Sequence, residues 1–263
     1  MSRRTVTWRR RSPDPPVDEE DVSAGTHPVR GQGHPKPLME VDARPVLHHL
    51  MEIFASQGFT EFVLAGGYKL PLLAAFAEDL ETDWKVEVVD TGLETNTGGR
   101  VRRCAHLLGD DFFCTYADGL GDVDLAALAE RHRSHDGLAT MTTVPLPSQY
   151  GTIDIDGEGQ VTAFKEKPRL PDHLINAGYF VFDHRVFDEW PEPGEDLERD
   201  VLPVLGARGQ LYVHRHDGFW KSMDTYKDAQ ELTALCRTGT PPWFRTIDLT
   251  AELAGQSSAS TLS

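Results

Sequence analysis

Three stretches of this sequence carry charged residues at spacings suited to phosphate chemistry. In "DFFCTYADGLGD", Asp118 closes an apolar run that reads as a strand, with Gly119 and Gly121 leaving the backbone open beside it. In an open α/β sheet ligands bind where strands end, and a hard carboxylate there suits Mg²⁺ carrying substrate phosphates. The same Asp-Gly pair is also ordinary turn chemistry. In "FKEKP", side chains alternate along a strand, so Lys165 and Lys167 share one side and Glu166 points to the other. A cation and an acid would then serve a phosphate and sugar hydroxyls; the alternative is a polar strand end in water. In "WKSMDT", Asp224 follows an aromatic-rich loop and is placed either to meet Asp118 across a cleft or to cap the last helix.

A fourth stretch, residues 25–37, reads "GTHPVRGQGHPKP". With its glycines, prolines and two cations, Arg30 and Lys36, it reads as a phosphate loop, the ruin of one or a linker. Other constellations are weaker. His132 and His135 lie three apart on a helical pattern without an acid partner and read as a solvated face. His48 and His49 read as packing or exposed residues. "LAGG" at 64–67 lacks the full G-x-G-x-x-G spacing, and neither a G-x-S-x-G element nor a Walker A sequence occurs.

The elements that must position these residues follow from periodicity. From Pro45 a helical face runs through Val46, Leu47, Leu50, Met51 and Phe54 to a stop at Gly58. Then come a strand in "EFVLAGG", a helix in "PLLAAFAEDL", a strand in "WKVEVVD", a helix in "GGRVRRCAHLLG" and the strand ending at Asp118. Asp122 is placed to cap "VDLAALAERHRSHDG", and "LATMTTVPL" is another β-rich run. The second half alternates apolar and polar residues on both sides of "GEG", which marks a hairpin over "GTIDIDGEGQVTAFKEKP". A strand in "INAGYFVFD", a helix in "EDLERDVLPVLGARG", a strand in "QLYVHRH", the loop "DGFWKSMDT" and a helix in "YKDAQELTALCRTG" complete the chain. Strand and helix in alternation predict an α/β fold, a twisted mixed sheet flanked by helices with a β-hairpin half. One domain is expected over residues 25–245, preceded by a disordered or aberrant tail over 1–24 and followed by a C-terminal tail over 246–263 whose last residues, "SSASTLS", are expected to be disordered.

Composition limits the functions open to such a domain. The 263 residues are 39% hydrophobic and 26% charged, enough for a substantial core. A net charge of -16 argues against a nucleic-acid surface, because phosphate contacts need clustered Lys and Arg. No apolar run approaches the roughly 20 residues that span a bilayer, so no membrane partner is expected. Cys104, Cys114 and Cys236 show neither CxxC spacing nor an even count, so a reducing cytoplasm is the expected compartment.

Taken in order, "HPKPLMEV", "VDTGLETNTGGR", "YADGLGDVD", "YGTIDID", "FKEKP", "INAGYFVF" and "GFWKSMDT" resemble the sugar-1-phosphate nucleotidyltransferases, in particular the cytidylyltransferases acting on glucose 1-phosphate. The resemblance spans residues 34–243. It implies a nucleotide-diphospho-sugar-transferase-like fold and a reaction in which a sugar 1-phosphate and CTP give a CDP-sugar and pyrophosphate. By the matched motifs, Asp118 and Asp224 would hold Mg²⁺, Lys36 would face the α-phosphate and Lys167 would grip the sugar phosphate. Gly151, Glu166 and Asn176 would hold the sugar, and Thr97, Gly98 and Gly99 would lie along the base. A homo-oligomer and a role in nucleotide-sugar and deoxysugar synthesis are further implications, and uracil or thymine nucleotides are the alternative substrates.

One part of the family pattern is missing from the sequence. Members begin with a buried strand leading into a loop of the form GGxGTRL. Here the matching region is charged and Pro-rich, and Gly25-Thr26 is followed by His27 in place of the arginine. A histidine offers one hydrogen bond where arginine offers a charged fork. The expectation is a chain of impaired activity, through a mis-assigned start, a frameshift or a degraded gene, or else a noncatalytic sugar-phosphate-binding protein. A missing central strand would also expose sheet edges and favour aggregation.

Overall fold

The structure, a computed structural model, describes residues 4–8 and 35–244. β1 (Arg4–Trp8) is followed by a small hairpin of β2 (Glu40–Val41) and β3 (Arg44–Pro45). α1 (Val46–Ser56), β4 (Glu61–Gly66), α2 (Leu70–Glu78), β5 (Lys85–Asp90) and α3 (Thr97–Arg103) come next. After β6 (Asp111–Tyr116), β7 (Gly119–Gly121), α4 (Leu125–Arg133) and β8 (Ala139–Pro147), the chain forms a hairpin of β9 (Thr152–Ile155) and β10 (Val161–Lys165). The long β11 (Arg169–Asp183), a π-helical turn over Leu197–Val201, α5 (Leu202–Ala207), β12 (Leu211–Arg215), β13 (Trp220–Ser222) and α6 (Tyr226–Cys236) complete the described chain.

Seven strands form the central sheet, in the order β12-β8-β11-β6-β1-β4-β5. β11 runs antiparallel to both of its neighbours, and the other pairings are parallel, so the sheet is mixed. Its two faces are buried under separate apolar clusters. Successive side chains of a strand point to opposite faces, and β6 sends Phe113 into one cluster and Phe112 and Cys114 into the other. β11 does the same with Tyr179 and Val181 against Phe180 and Phe182. The fold expected from the alternation of strands and helices is the fold observed.

The largest departure from the sequence reading is β1. No strand was expected in residues 1–24, yet Arg4–Trp8 pairs in parallel with both β4 and β6 in the middle of the sheet. "RTVTW" is rich in β-branched and aromatic residues. Its brevity and its arginine flanks conceal the signal, and only the open slot between β4 and β6, with two rows of backbone groups to satisfy, makes it a strand. The exposed sheet edges expected from a missing strand are therefore not present there. His27, Arg30 and the rest of residues 9–34, and the tail from 245 onward, lie outside the described residues.

Smaller departures have local causes. Asp124, not Asp122, caps α4, accepting from the Ala127 amide at 2.8 Å, while Asp122 faces His216 at 2.9 Å. Thr225, not Asp224, caps α6, in a capping box with Asp228 that leaves Asp224 outside the helix. His132 is buried, 4% exposed, and bonds the Thr140 hydroxyl, so it does not lie on a solvated face. The helix expected over 98–109 stops at Arg103, with a 3₁₀ turn over Ala105–Leu107, and the loop over 217–225 contains β13.

Candidate functional site

The site is assembled by the short ladder of β7 and β13. These strands pair antiparallel, with Gly119 opposite Ser222, and the Met223 amide donates to the Asp118 carbonyl at 2.8 Å. The ladder therefore ends with Asp118 and Asp224 side by side, although more than a hundred residues separate them in sequence. Glycines at 119 and 121 keep it close to its neighbours: a Cβ at Gly121 would stand 3.0 Å from the Phe219 carbonyl. The Trp220 indole N–H donates to the Ala177 carbonyl at 2.8 Å and fastens β13 to β11.

Lys36 enters from the opposite side. It begins a 3₁₀ turn over Lys36–Leu38, between Pro35 and Pro37, whose rings fix φ and stiffen the approach. Its ammonium stands 2.8 Å from Asp118 Oδ2 and 2.7 Å from Asp224 Oδ1, with Asp118 nearly as buried as the lysine and Asp224 open to solvent. The Ser222 hydroxyl donates to the other Asp224 oxygen at 2.7 Å. Burial works against the charged forms of both Lys36 and Asp224, but Asp118 and then Asp224 outweigh it for the lysine, and Lys36 with the Ser222 hydroxyl outweighs it for Asp224. The lysine is raised above its ordinary value and Asp224 is lowered below the ordinary carboxylate range.

A cleft opens beside this cluster at the carboxyl ends of β4 and β6. Pro37, Gly66, Gly67, Tyr68, Arg100 and Ala117 line it. Arg100 is buried, 8% exposed, and donates to the Gly66 carbonyl at 2.8 Å and to the Thr91 hydroxyl. A Cβ at Gly67 would stand 2.7 Å from the Arg100 guanidinium, so glycine is what admits that side chain. Sequence reading missed Arg100, although it directly follows Thr97-Gly98-Gly99.

Those three residues have a different reason for being small from the one the sequence suggested. Gly99 donates its N–H to the Glu195 carbonyl at 3.0 Å, and a Cβ at Gly98 would stand 2.6 Å from the Gly194 carbonyl. Their room is filled by the chain's own 194–198 segment. Thr97 donates to Glu198 Oε2 at 3.0 Å and accepts from the Leu197 amide at 2.9 Å. Of this stretch it is Arg100 that faces the cleft.

The sugar-side candidates fall into two groups. Asn176 lies on β11, just before a register shift at which Gly178 takes φ +79°, and its amide donates to the Tyr116 hydroxyl at 2.9 Å. Gly151 and Glu166 are neighbours at the base of the β9–β10 hairpin, where a Cβ at Gly151 would stand 3.1 Å from the Glu166 carboxylate. Lys167 is exposed and lies past the end of β10 at φ +46°, so the strand alternation expected to pair it with Lys165 stops short of it. The hairpin base is tied to the approach to β13 by Arg169, which donates to the Gly218 carbonyl at 3.0 Å. Lys36, Asp118 and Asp224 are thus in contact, while Lys167, Gly151 and Glu166 form a separate, exposed group.

A model of the nucleotidyl transferase family matches residues 31–235. The chain belongs to the nucleotidyl transferase family. Among its relatives is a glucose-1-phosphate cytidylyltransferase of Salmonella typhi, 34% identical over 233 residues that cover 80% of this chain and 90% of that enzyme. A mannose-1-phosphate guanylyltransferase catalytic subunit beta of Dictyostelium discoideum is 31% identical, covering 74% of this chain and 56% of that protein. The solved structure of HddC from Yersinia pseudotuberculosis superposes with a TM-score of 0.63 at 20% identity, covering 88% of this chain and 98% of that one. Members of this family act on a nucleoside triphosphate and a sugar 1-phosphate. Among the described residues no helix is long and apolar enough to cross a membrane.

Proposed function

We propose that this nucleotidyl transferase joins CTP and α-D-glucose 1-phosphate to give CDP-glucose and pyrophosphate, with Mg²⁺ as cofactor. The observation that carries the proposal is the Lys36 ammonium in contact with Asp118 and Asp224, beside a cleft lined by their chain neighbours Pro35, Pro37 and Ala117. The choice of base and sugar rests on likeness to the Salmonella typhi cytidylyltransferase.

In this reaction an oxygen of the sugar phosphate forms a bond to the α-phosphorus, the bond between that phosphorus and the β-bridging oxygen breaks, and pyrophosphate leaves with the electron pair. Alignment and positive charge are what the protein must supply. Lys36 faces the nonbridging oxygens of the α-phosphate, where negative charge builds. Asp118 and Asp224 suit a divalent cation, because the pair already accommodates a cation between them in a site built of hard oxygens. When bound, Mg²⁺ offsets phosphate charge and orients the displacement. Arg100, with the start of α3, serves the nucleotide side. Lys167 grips the sugar phosphate, and Gly151, Glu166 and Asn176 hold the sugar.

The same proposal includes a cytoplasmic location and a homo-oligomer. Ile153 is 57% exposed and Phe164 opposite it 65%, and apolar surface of this kind on a projecting hairpin favours association. The noncatalytic alternative drew on a missing first strand and a degraded GGxGTRL loop; β1 in the sheet speaks against the first of these, and the loop region lies outside the described residues.

The test is pyrophosphate release from the purified chain with CTP, glucose 1-phosphate and Mg²⁺, beside Asp118→Ala and the other nucleoside triphosphates. Release that prefers CTP and disappears in the variant is expected. Preference for UTP or dTTP would overturn the base assignment, and no release from folded protein would favour the noncatalytic reading.

A further inference from the structure

Behind the cleft, Glu198 sits where four elements meet. Its Oε1 takes the hydrogen bond of the Tyr116 hydroxyl from the end of β6, and its Oε2 takes that of Thr97 at the start of α3, 3.0 Å away. Tyr116 in turn accepts from Asn176 Nδ2 at 2.9 Å, and Asn176 Oδ1 accepts from the Gly178 amide at 2.7 Å. The directions in this chain are not interchangeable. A backbone amide can only donate, so the Gly178 N–H identifies the oxygen of the Asn176 side chain and leaves its nitrogen facing Tyr116. The phenol, spending its proton on Glu198, has only lone pairs to offer Asn176.

We infer that Tyr116 and Glu198 are positioning residues that hold the Asn176 carboxamide in one of its two orientations, with one N–H and one oxygen lone pair left for a sugar phosphate. The inference rests on Asn176 as a sugar contact. Other observations agree with it. At φ +79° Gly178 turns its amide toward Asn176, and a side chain there would collide with the Tyr116 ring. Tyr116 also packs edge-on against Phe180, with centroids 5.7 Å apart, which fixes the hydroxyl. Glu198 thereby links the Thr97 end of α3, on the nucleotide side, to the sugar side through a single carboxylate.

The experiment is a double-mutant cycle on the full chain. Glucose 1-phosphate is titrated by calorimetry with Mg²⁺ and a CTP analogue that cannot release pyrophosphate. Tyr116→Phe is expected to weaken glucose 1-phosphate binding about 3- to 10-fold, the worth of one hydrogen bond, with little change in affinity for the CTP analogue. In an Asn176→Ala background the same change should cost nothing further. Wild-type binding by Tyr116→Phe, or an equal loss in both backgrounds, overturns the inference alone. Wild-type binding by Asn176→Ala, or no binding of glucose 1-phosphate by the unmutated chain, overturns the sugar contact and the inference with it. Should Tyr116→Phe not fold, Glu198→Gln, which still accepts from the phenol, is expected to bind near wild type while Glu198→Leu loses binding; equal behaviour of the two overturns the inference.

Discussion

Lys36 and Asp118 are joined by a 2.8 Å ion pair beside the cleft, and the same ammonium reaches Asp224 at 2.7 Å. Removing the cation leaves two carboxylates on neighbouring strand ends with nothing between them. Lys36→Met is therefore expected to lower the melting temperature in metal-free buffer and to regain part of the loss when Mg²⁺ is added. Thermal melts with chelator and with Mg²⁺ check this, and a variant indifferent to Mg²⁺ would count against the metal assignment.

The pH dependence of this cluster has a definite sign. Asp224 is lowered below its ordinary 3.8, so its stabilising contribution is present above that value and is lost as pH falls through its lower folded value. Lys36 is raised above 10.5, so its contribution is full below 10.5 and is lost only as pH rises past its folded value. Asp224→Asn should thus lower the melting temperature by a constant amount between neutral pH and about pH 5, with the gap closing below about pH 4. A gap that widens toward acid would contradict the pairing.

β1 can be tested through its backbone. Val6→Pro removes a ladder N–H from the middle of the sheet, where proline is tolerated essentially only on edge strands or at bulges. Loss of a cooperative melt in circular dichroism is expected. A melt like that of the unmodified chain would mean that Arg4–Trp8 does not hold the central slot.

Trp220→Phe keeps an aromatic ring but removes the pyrrole half of the indole, and with it the N–H that donates to the Ala177 carbonyl. One lost hydrogen bond to a buried carbonyl is worth about 1 kcal/mol, or a fall of roughly 2–4 °C in a domain of this size. Because this bond fastens β13 to β11, calorimetry should also show weaker divalent-cation binding at Asp118 and Asp224, and unchanged binding would separate the fastening from the site.

Lys167 carries a left-handed backbone, φ +46°, that a lysine adopts at a cost. Lys167→Gly is expected to stabilise the chain by about 1 kcal/mol while weakening sugar-phosphate binding, the signature of strain kept for function. Melting temperature and calorimetric affinity for glucose 1-phosphate read the two effects separately, and a stabilised variant with full affinity would remove Lys167 from the site.

Period and punctuation in the sequence determined most of the elements and the α/β class. Apolar runs such as "DFFCTY" and alternations such as "TIDI" carry their own structural instructions in a few neighbouring residues. Asp118 and Asp224 could be marked as candidates from type and local context, with a turn and a helix cap as the alternatives, while Lys36 emerged only from the order of short motifs that identified the family. What the tertiary structure alone decided were relationships between distant residues. Whether "RTVTW" becomes a strand depends on a slot formed by β4 and β6, whether Asp224 caps a helix or meets Asp118 depends on the β7–β13 ladder, and why Gly98 and Gly99 must be small depends on the 194–198 segment. Tyr116, the last residue of β6 and two residues before Asp118, was visible only as an aromatic. Its direction of donation, and the orientation it imposes on Asn176, exist only once Glu198 and the Gly178 amide are brought to it, because a hydrogen bond's sense is set by both partners and the sequence lists them one at a time.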